Sequence, residues 1–248
     1  MYGWRGRVAH LAPSRGDWIV YEFYRVAPRG TMFLNVTGTV RNLRDGDLES
    51  RLRSLEAAAI DVAEDKPDLI IAGGSPLITL QGFGSEKRIS EQLTRACGIP
   101  CVTGTELETD ALHAVHSTRP VLATPYPPTL DERLINYLNE AGFEVQGCKG
   151  LGIENNATIG MLPEHAALRI GREAAAAAPN ADAIFMPCGR WPTLEAARLL
   201  EQELGLPVVT ASLAYAFGSF KRLNIRDSFE GCGSLLATLR PLTPTTAG

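Results

Sequence analysis

The sequence predicts an α/β fold made of two related lobes that face each other across a cleft. Short apolar runs alternate with amphipathic stretches along the chain, the pattern of strand–helix units. The apolar runs have almost no polar face, as in strands of parallel sheets covered on both sides. The second half also repeats the first. The run from Pro67 to Ser75 is answered by Asn180 to Gly189, Gly98 to Thr105 by Gly205 to Ser212, and Arg7 to Pro13 by Pro120 to Pro125. Pro13 and Gly74 are 61 positions apart, and Pro125 and Cys188 are 63 apart.

Taken in order, Arg7–Ala12 and Thr31–Val36 read as buried strands. Leu48–Ala63 reads as a helix, with Leu48, Leu52, Leu55, Ala59, Ile60 and Ala63 at three- and four-residue spacing. Asp68–Ala72 is a short apolar strand, Ile89–Cys97 a helix, Pro100–Thr103 a strand and Glu106–His116 a helix. In the second half, Val121–Thr124 is a strand. Leu130–Ala141 is a helix with Leu134, Ile135 and Leu138 on one face, and Phe143–Gln146 is a strand. Pro163–Ala178 is an alanine-rich helix, Ala183–Met186 a strand, Leu194–Leu204 a helix and Val208–Thr210 a strand. The repeat divides the chain into an N-terminal lobe, 1–115, and a C-terminal lobe, 116–211, with 212–240 expected to pack back on the first. Pro241–Gly248 is rich in Pro, Thr and Gly and is expected to be mobile.

Composition narrows the function. Of the 248 residues 45% are hydrophobic and 21% charged, which suits a water-soluble globule with a sizeable core. A net charge of -4 argues against a nucleic-acid partner, which needs a basic face. No apolar stretch reaches the roughly 20 residues of a membrane helix, and Met1–Arg7 lacks the apolar core of a secretory signal. The five cysteines are an odd number and read as free thiols in a reducing cytoplasm. Cys97 and Cys101 lack the further ligands of a zinc site. There is no phosphate-binding loop and no dinucleotide fingerprint, so no cofactor is expected. The four histidines show no triad or ligand spacing and receive no role.

In open α/β sheets ligands bind beyond the carboxyl ends of the strands. Four such ends carry Pro13-Ser14-Arg15, Gly74-Ser75-Pro76, Pro125-Tyr126 and Cys188-Gly189-Arg190. A fifth loop runs from Gly152 to Asn156. The repeat pairs Gly74 with Cys188, so two related positions face one cleft and only one holds a thiol. Inverting a carbon acid with two bases needs a proton-transfer group on each face, and Gly74 supplies none. Decarboxylation needs a stabilised enediolate and then one acid, a role open to a neutral thiol. Bland readings stand beside this one. Ser75 could merely cap a helix, Tyr126 could be a core aromatic, and Gly74 and Gly189 could serve tight turns. Arg15 and Arg190 could be ordinary surface arginines. Cys97, Cys101, Cys148 and Cys232 read as structural.

Gly74-Ser75, the run from Ala123 to Tyr126, Asp131 to Leu134, Cys188-Gly189 and Gly205 to Val209 together resemble the aspartate/glutamate racemase superfamily. The branch is the one holding arylmalonate decarboxylase and maleate cis-trans isomerase. The resemblance runs from about Arg7 to Phe220. It implies two pseudosymmetric flavodoxin-like lobes, each with a mostly parallel sheet covered by helices, and an active site between them. Racemases and maleate isomerases of the superfamily carry a cysteine at both strand ends, whereas arylmalonate decarboxylases keep only the second. Gly74 and Cys188 follow the decarboxylase pattern.

The resemblance further implies a dioxyanion hole formed by Ser75, Tyr126 and the N–H groups near Cys188 and Gly189. Gly74-Ser75 and Cys188-Gly189 are both expected to open helices, and Pro13 and Ser14 to border the substrate. Asn156, in a segment closer to the isomerase branch, is expected to hold a substrate carboxylate. Pro76 stands where a serine donor is expected, and Arg190-Trp191 replace small and aliphatic residues. With Arg15, these departures point to a more polar or anionic substrate than an arylmalonate. The expected activity is cofactor-independent decarboxylation of a substituted malonate or related small dicarboxylic acid, protonated by Cys188. The alternatives are cis-trans isomerisation or racemisation of a small dicarboxylate, or binding of a small acid without turnover. The expected partner is a small carboxylic acid, with neither nucleic acid nor membrane, and the sequence suits a monomer and a homo-oligomer equally.

Overall fold

A computed structural model describes residues 2–227, 229 and 231–239, so the expectation for Pro241–Gly248 lies outside the described residues. The first sheet contains β1 (Gly6–Ala12), β2 (Thr31–Thr37), β3 (Leu69–Ala72) and β4 (Cys101–Thr103), in the order β2-β1-β3-β4. The second contains β5 (Pro120–Thr124), β6 (Gly147–Gly150), β7 (Ala183–Met186) and β8 (Val208–Thr210), in the order β6-β5-β7-β8. Every pairing is parallel, and the second sheet repeats the strand order of the first. β3, β5 and β7 are buried along their whole length, as strands covered on both faces must be.

The helices in chain order are α1 (Asp17–Val26), α2 (Asp45–Ala63), α3 (Ser75–Thr79), α4 (Ser85–Cys97), α5 (Gly104–Ala114), α6 (Pro128–Glu140), α7 (Asn156–Gly160), α8 (Glu164–Ala177), α9 (Leu194–Leu204), α10 (Ala211–Arg222) and α11 (Ser234–Ala237). Their starts repeat the internal symmetry. Thr103, the last residue of β4, caps α5 by accepting from the Glu106 N–H, and Glu106 returns the bond by accepting from the Thr103 N–H at 2.8 Å. Thr210, the last residue of β8, caps α10 by accepting from the Leu213 N–H at 3.2 Å. Such a cap contributes about 1 kcal/mol. It also turns each strand into a helix without a loop.

Two expectations shift. Phe143–Gln146 is not a strand. Phe143 is buried against the His113 ring, at 4.7 Å between centroids, and pairing with β5 begins only at Gly147. In α2 the buried face is Leu48, Leu55, Ala59 and Val62, whereas Ile60 is 47% exposed. Its position falls off the stripe because 3.6 residues per turn carry it past the core.

Hydrogen bonds tie the two halves together on both sides of the cleft. Glu22 of α1 is buried and accepts from the N–H groups of Thr193 (2.6 Å) and Leu194 (2.8 Å), satisfying free donors at the start of α9. On the other side Asn42 and Asn155 form an antiparallel bridge, flanked by Leu43 N–H to the Glu154 carbonyl at 2.8 Å and Asn156 N–H to the Arg41 carbonyl at 2.9 Å. α10 packs against α5 and α1. Among the described residues no helix is long and apolar enough to cross a membrane.

Candidate active site

The carboxyl ends of β1, β3, β5 and β7 converge on a cavity of about 60 Å³. Its wall includes Pro13, Ser14, Gly74, Tyr126, Asn156, Cys188 and Gly189, so seven of the eight residues expected at the site come together. Ser75 is the exception. It is buried, and its hydroxyl lies 2.8 and 2.7 Å from the two carboxyl oxygens of Glu108.

Gly74 and Cys188 occupy matching turns after β3 and β7, and both have backbone in the left-handed region, at φ +98° and +84°. Glycine adopts this conformation freely, but a cysteine does so at a cost of about 1–2 kcal/mol. A side chain held in that region at a cavity wall is a common mark of a working position. A Cβ on Gly74 would fall 2.3 Å from Cγ of Pro13, so the proline ring fills the volume a first thiol would need. Ser75 begins α3 as expected. Cys188-Gly189 does not open a helix: the chain turns through Gly189-Arg190, Pro192 follows, and α9 starts only at Leu194. The Trp191 indole N–H closes this turn by donating to the Pro187 carbonyl at 3.0 Å. Gly189 admits Ile19 of α1, whose Cδ1 would lie 2.4 Å from a Cβ there.

The electrostatics keep Cys188 protonated. Burial pushes its thiol up to about 11, against the opposing effects of the Arg190 backbone N–H, the Tyr126 hydroxyl and the Arg190 charge. Tyr126 is also pushed well above its usual range, first by burial and then by proximity to Cys188. The site at neutral pH therefore presents a thiol and a phenol, both able to donate.

Asn156 is on the wall, yet its Nδ2 donates to the Val40 carbonyl at 3.1 Å and its own carbonyl accepts from Arg190 Nε at 2.7 Å. It ties the two loops that close the cavity. Pro76 and Arg15 also line the cavity.

Sequence reasoning missed three residues. His10 lines the cavity, only 4% exposed. Its Nδ1 pairs with Asn35 Oδ1 at 2.9 Å, and burial lowers it to about 4, leaving a neutral ring. Tyr215 of α10 lines the same face, and its hydroxyl accepts from the Gly74 N–H at 3.3 Å. Glu108 is fully enclosed, and burial raises it to about 8. Only Glu108 left a signal: an acid three and four residues before Ala111 and Leu112 sits in the apolar stripe of its helix.

A family model described as arylmalonate decarboxylase matches residues 25–236. The chain belongs to the arylmalonate decarboxylase family. It is 31% identical to the arylmalonate decarboxylase of Bordetella bronchiseptica over 141 residues, covering 57% of this chain and 59% of that one. It is 24% identical to the maleate isomerase of Pseudomonas putida over 245 residues, 93% of this chain and 97% of that protein. The fold matches the crystal structure of the maleate isomerase Iso from Pseudomonas putida with a TM-score of 0.88, 21% identity and coverage of 94% of this chain and 99% of the other. A liganded variant of arylmalonate decarboxylase gives 0.84, 23% identity, and coverage of 93% and 98%. The family's two kinds of enzyme thus share this chain's architecture, and a small-molecule substrate is consistent with both.

Proposed function

We propose that this protein is a cofactor-independent decarboxylase of a substituted malonate or related small dicarboxylic acid. The observation that carries the reading is the Gly74–Cys188 asymmetry: two matching turns face one cavity, and only one presents a proton donor. One carboxylate of the substrate is held by the Tyr126 hydroxyl and the backbone N–H groups of the Gly189 turn. The C–C bond to the other carboxylate breaks, carbon dioxide leaves, and the electron pair passes into an enediolate on the retained carboxyl. Donors aimed at that charge are worth most in a water-poor cavity. Cys188 S–H then protonates the carbon, and the thiolate regains its proton from solvent.

Isomerisation of a maleate-like acid is the second reading, favoured by the full-length similarity to a maleate isomerase. A solved variant of the Nocardia farcinica maleate isomerase holds a covalently bound succinylcysteine intermediate. Forming such an adduct calls for a thiolate nucleophile. Cys188, pushed up to about 11, suits proton donation better than nucleophilic addition.

Carbon dioxide release from a panel of 2-substituted malonates, alongside fumarate formation from maleate, tests the reading. Carbon dioxide without fumarate is expected. Fumarate without carbon dioxide would replace the decarboxylase with an isomerase.

A further inference from the structure

We propose that a second cavity beside the first binds a distal anionic group, so that the acid processed at Cys188 carries a carboxylate or phosphate at the far end of its substituent. The proposal rests on the decarboxylase reading of the inner cavity. The outer cavity has a volume of about 420 Å³ and shares Ser14, Arg15, Asn156 and Arg190 with the inner one, so a single ligand can span both. Arg15, Arg41 and Arg190 line it, and no acidic side chain does. None of the ion pairs among the described residues uses any of these three arginines.

Arg190 is held in place. Its Nε donates to the Asn156 carbonyl at 2.7 Å, and the guanidinium lies over Gly160, where a Cβ would come within 3.2 Å of Nε and Nη2. A fourth arginine stands behind the wall. Arg51 is 9% exposed, and its Nε would lie 2.7 Å from a Cβ on Gly38, a residue of the outer cavity. Its Nε and Nη2 have no hydrogen-bond partner among the described residues, and its Nη1 reaches only the Ser54 hydroxyl, at 3.2 Å. A buried guanidinium without a counter-ion is costly. An anion in the outer cavity would offset that cost through its field and take up the free N–H groups of the lining arginines. The guanidinium fork suits the paired oxygens of a carboxylate or phosphate. In a chain of net charge -4, four cations around one hollow form a local field of opposite sign.

Calorimetric titration of the full chain with non-reacting acids tests this. Straight-chain monocarboxylates with three to six methylenes are compared with the same chains ending in a second carboxylate or in a phosphonate. At the matching length an anionic end should tighten binding roughly 10- to 100-fold over the neutral end. Arg41→Gln and 0.5 M salt should each shrink that ratio. A stronger carboxylate gain marks a dicarboxylic tail, and a stronger phosphonate gain a phosphate ester; either supports the subsite. Equal affinities at every length, or an Arg41→Gln ratio equal to wild type, would overturn it. Carbon dioxide release from malonates with the same tails is followed separately. Tail-selective binding without gas sinks the decarboxylase reading and leaves the anion subsite standing; gas with no tail preference does the reverse.

Discussion

The Ser75 hydroxyl donates to a carboxyl group, that of Glu108, which no cation among the described residues accompanies. Burial raises this carboxyl from an ordinary 4.5 to about 8. Between those values the folded protein keeps on Glu108 a proton that the unfolded chain has released, so the contribution of this group to stability falls as pH rises from about 4.5 to 8. Glu108→Gln keeps a neutral group of the same shape. Thermal unfolding across this range should show wild type losing stability relative to the variant, by on the order of a few kcal/mol between pH 4.5 and 8, whatever the other groups contribute to both curves. Parallel curves would place the titration elsewhere.

Pro13 and Gly74 form a steric pair. Gly74→Ala meets both the left-handed backbone and the Pro13 ring, and should destabilise by about 2–4 kcal/mol. Pro13→Ala removes only the clash, so the double variant should recover part of the loss in a denaturant-melt cycle. Strict additivity would mean that the ring does not oppose a side chain at position 74.

Cys188 combines a strained backbone with the proposed acid. Cys188→Gly and Cys188→Ala should both lower turnover by roughly 10²–10⁴-fold. The glycine variant should be the more stable of the two by about 1 kcal/mol, because it relieves the positive φ. The wild-type rate should stay level through neutral pH and fall only as pH approaches 11, where the thiol ionises. A rate that instead rises with pH above 7 would mark a thiolate as the active form.

Tyr126 is buried, with its phenol beside Cys188. Tyr126→Phe keeps the packing and removes the donor. It should lower kcat by roughly 10²–10³-fold with an unchanged melting temperature. A matching loss of stability with intact kcat would assign the hydroxyl to the core.

The parallel sheets and most helices were legible in the sequence because fully buried strands such as Leu69–Ala72 and Ala183–Met186 leave unbroken apolar runs. The repeat located the turns at Gly74 and Cys188. α1 and α10 escaped notice, as did the five-residue α7, too short to display a period; α10 is buried from Ala211 to Phe220 and so has no polar face to mark one. The aromatic and imidazole side of the site also escaped. Tyr215 reaches Gly74 from 141 residues away, and His10 is paired with Asn35 by strand packing that no local pattern encodes. Ser75 was expected at the site from its position, but it does not line the cavity, and the partner that holds its hydroxyl lies on α5, across the fold.

One acid on one face is the central claim, and the product of a prochiral 2-methylmalonate whose second substituent ends in a carboxylate, formed in deuterated water, tests it most directly. A single enantiomer carrying one deuterium at the new C–H bond, lost with Cys188→Ala, is the predicted result. A racemic product from the wild type, or undiminished stereospecific turnover in Cys188→Ala, would contradict it.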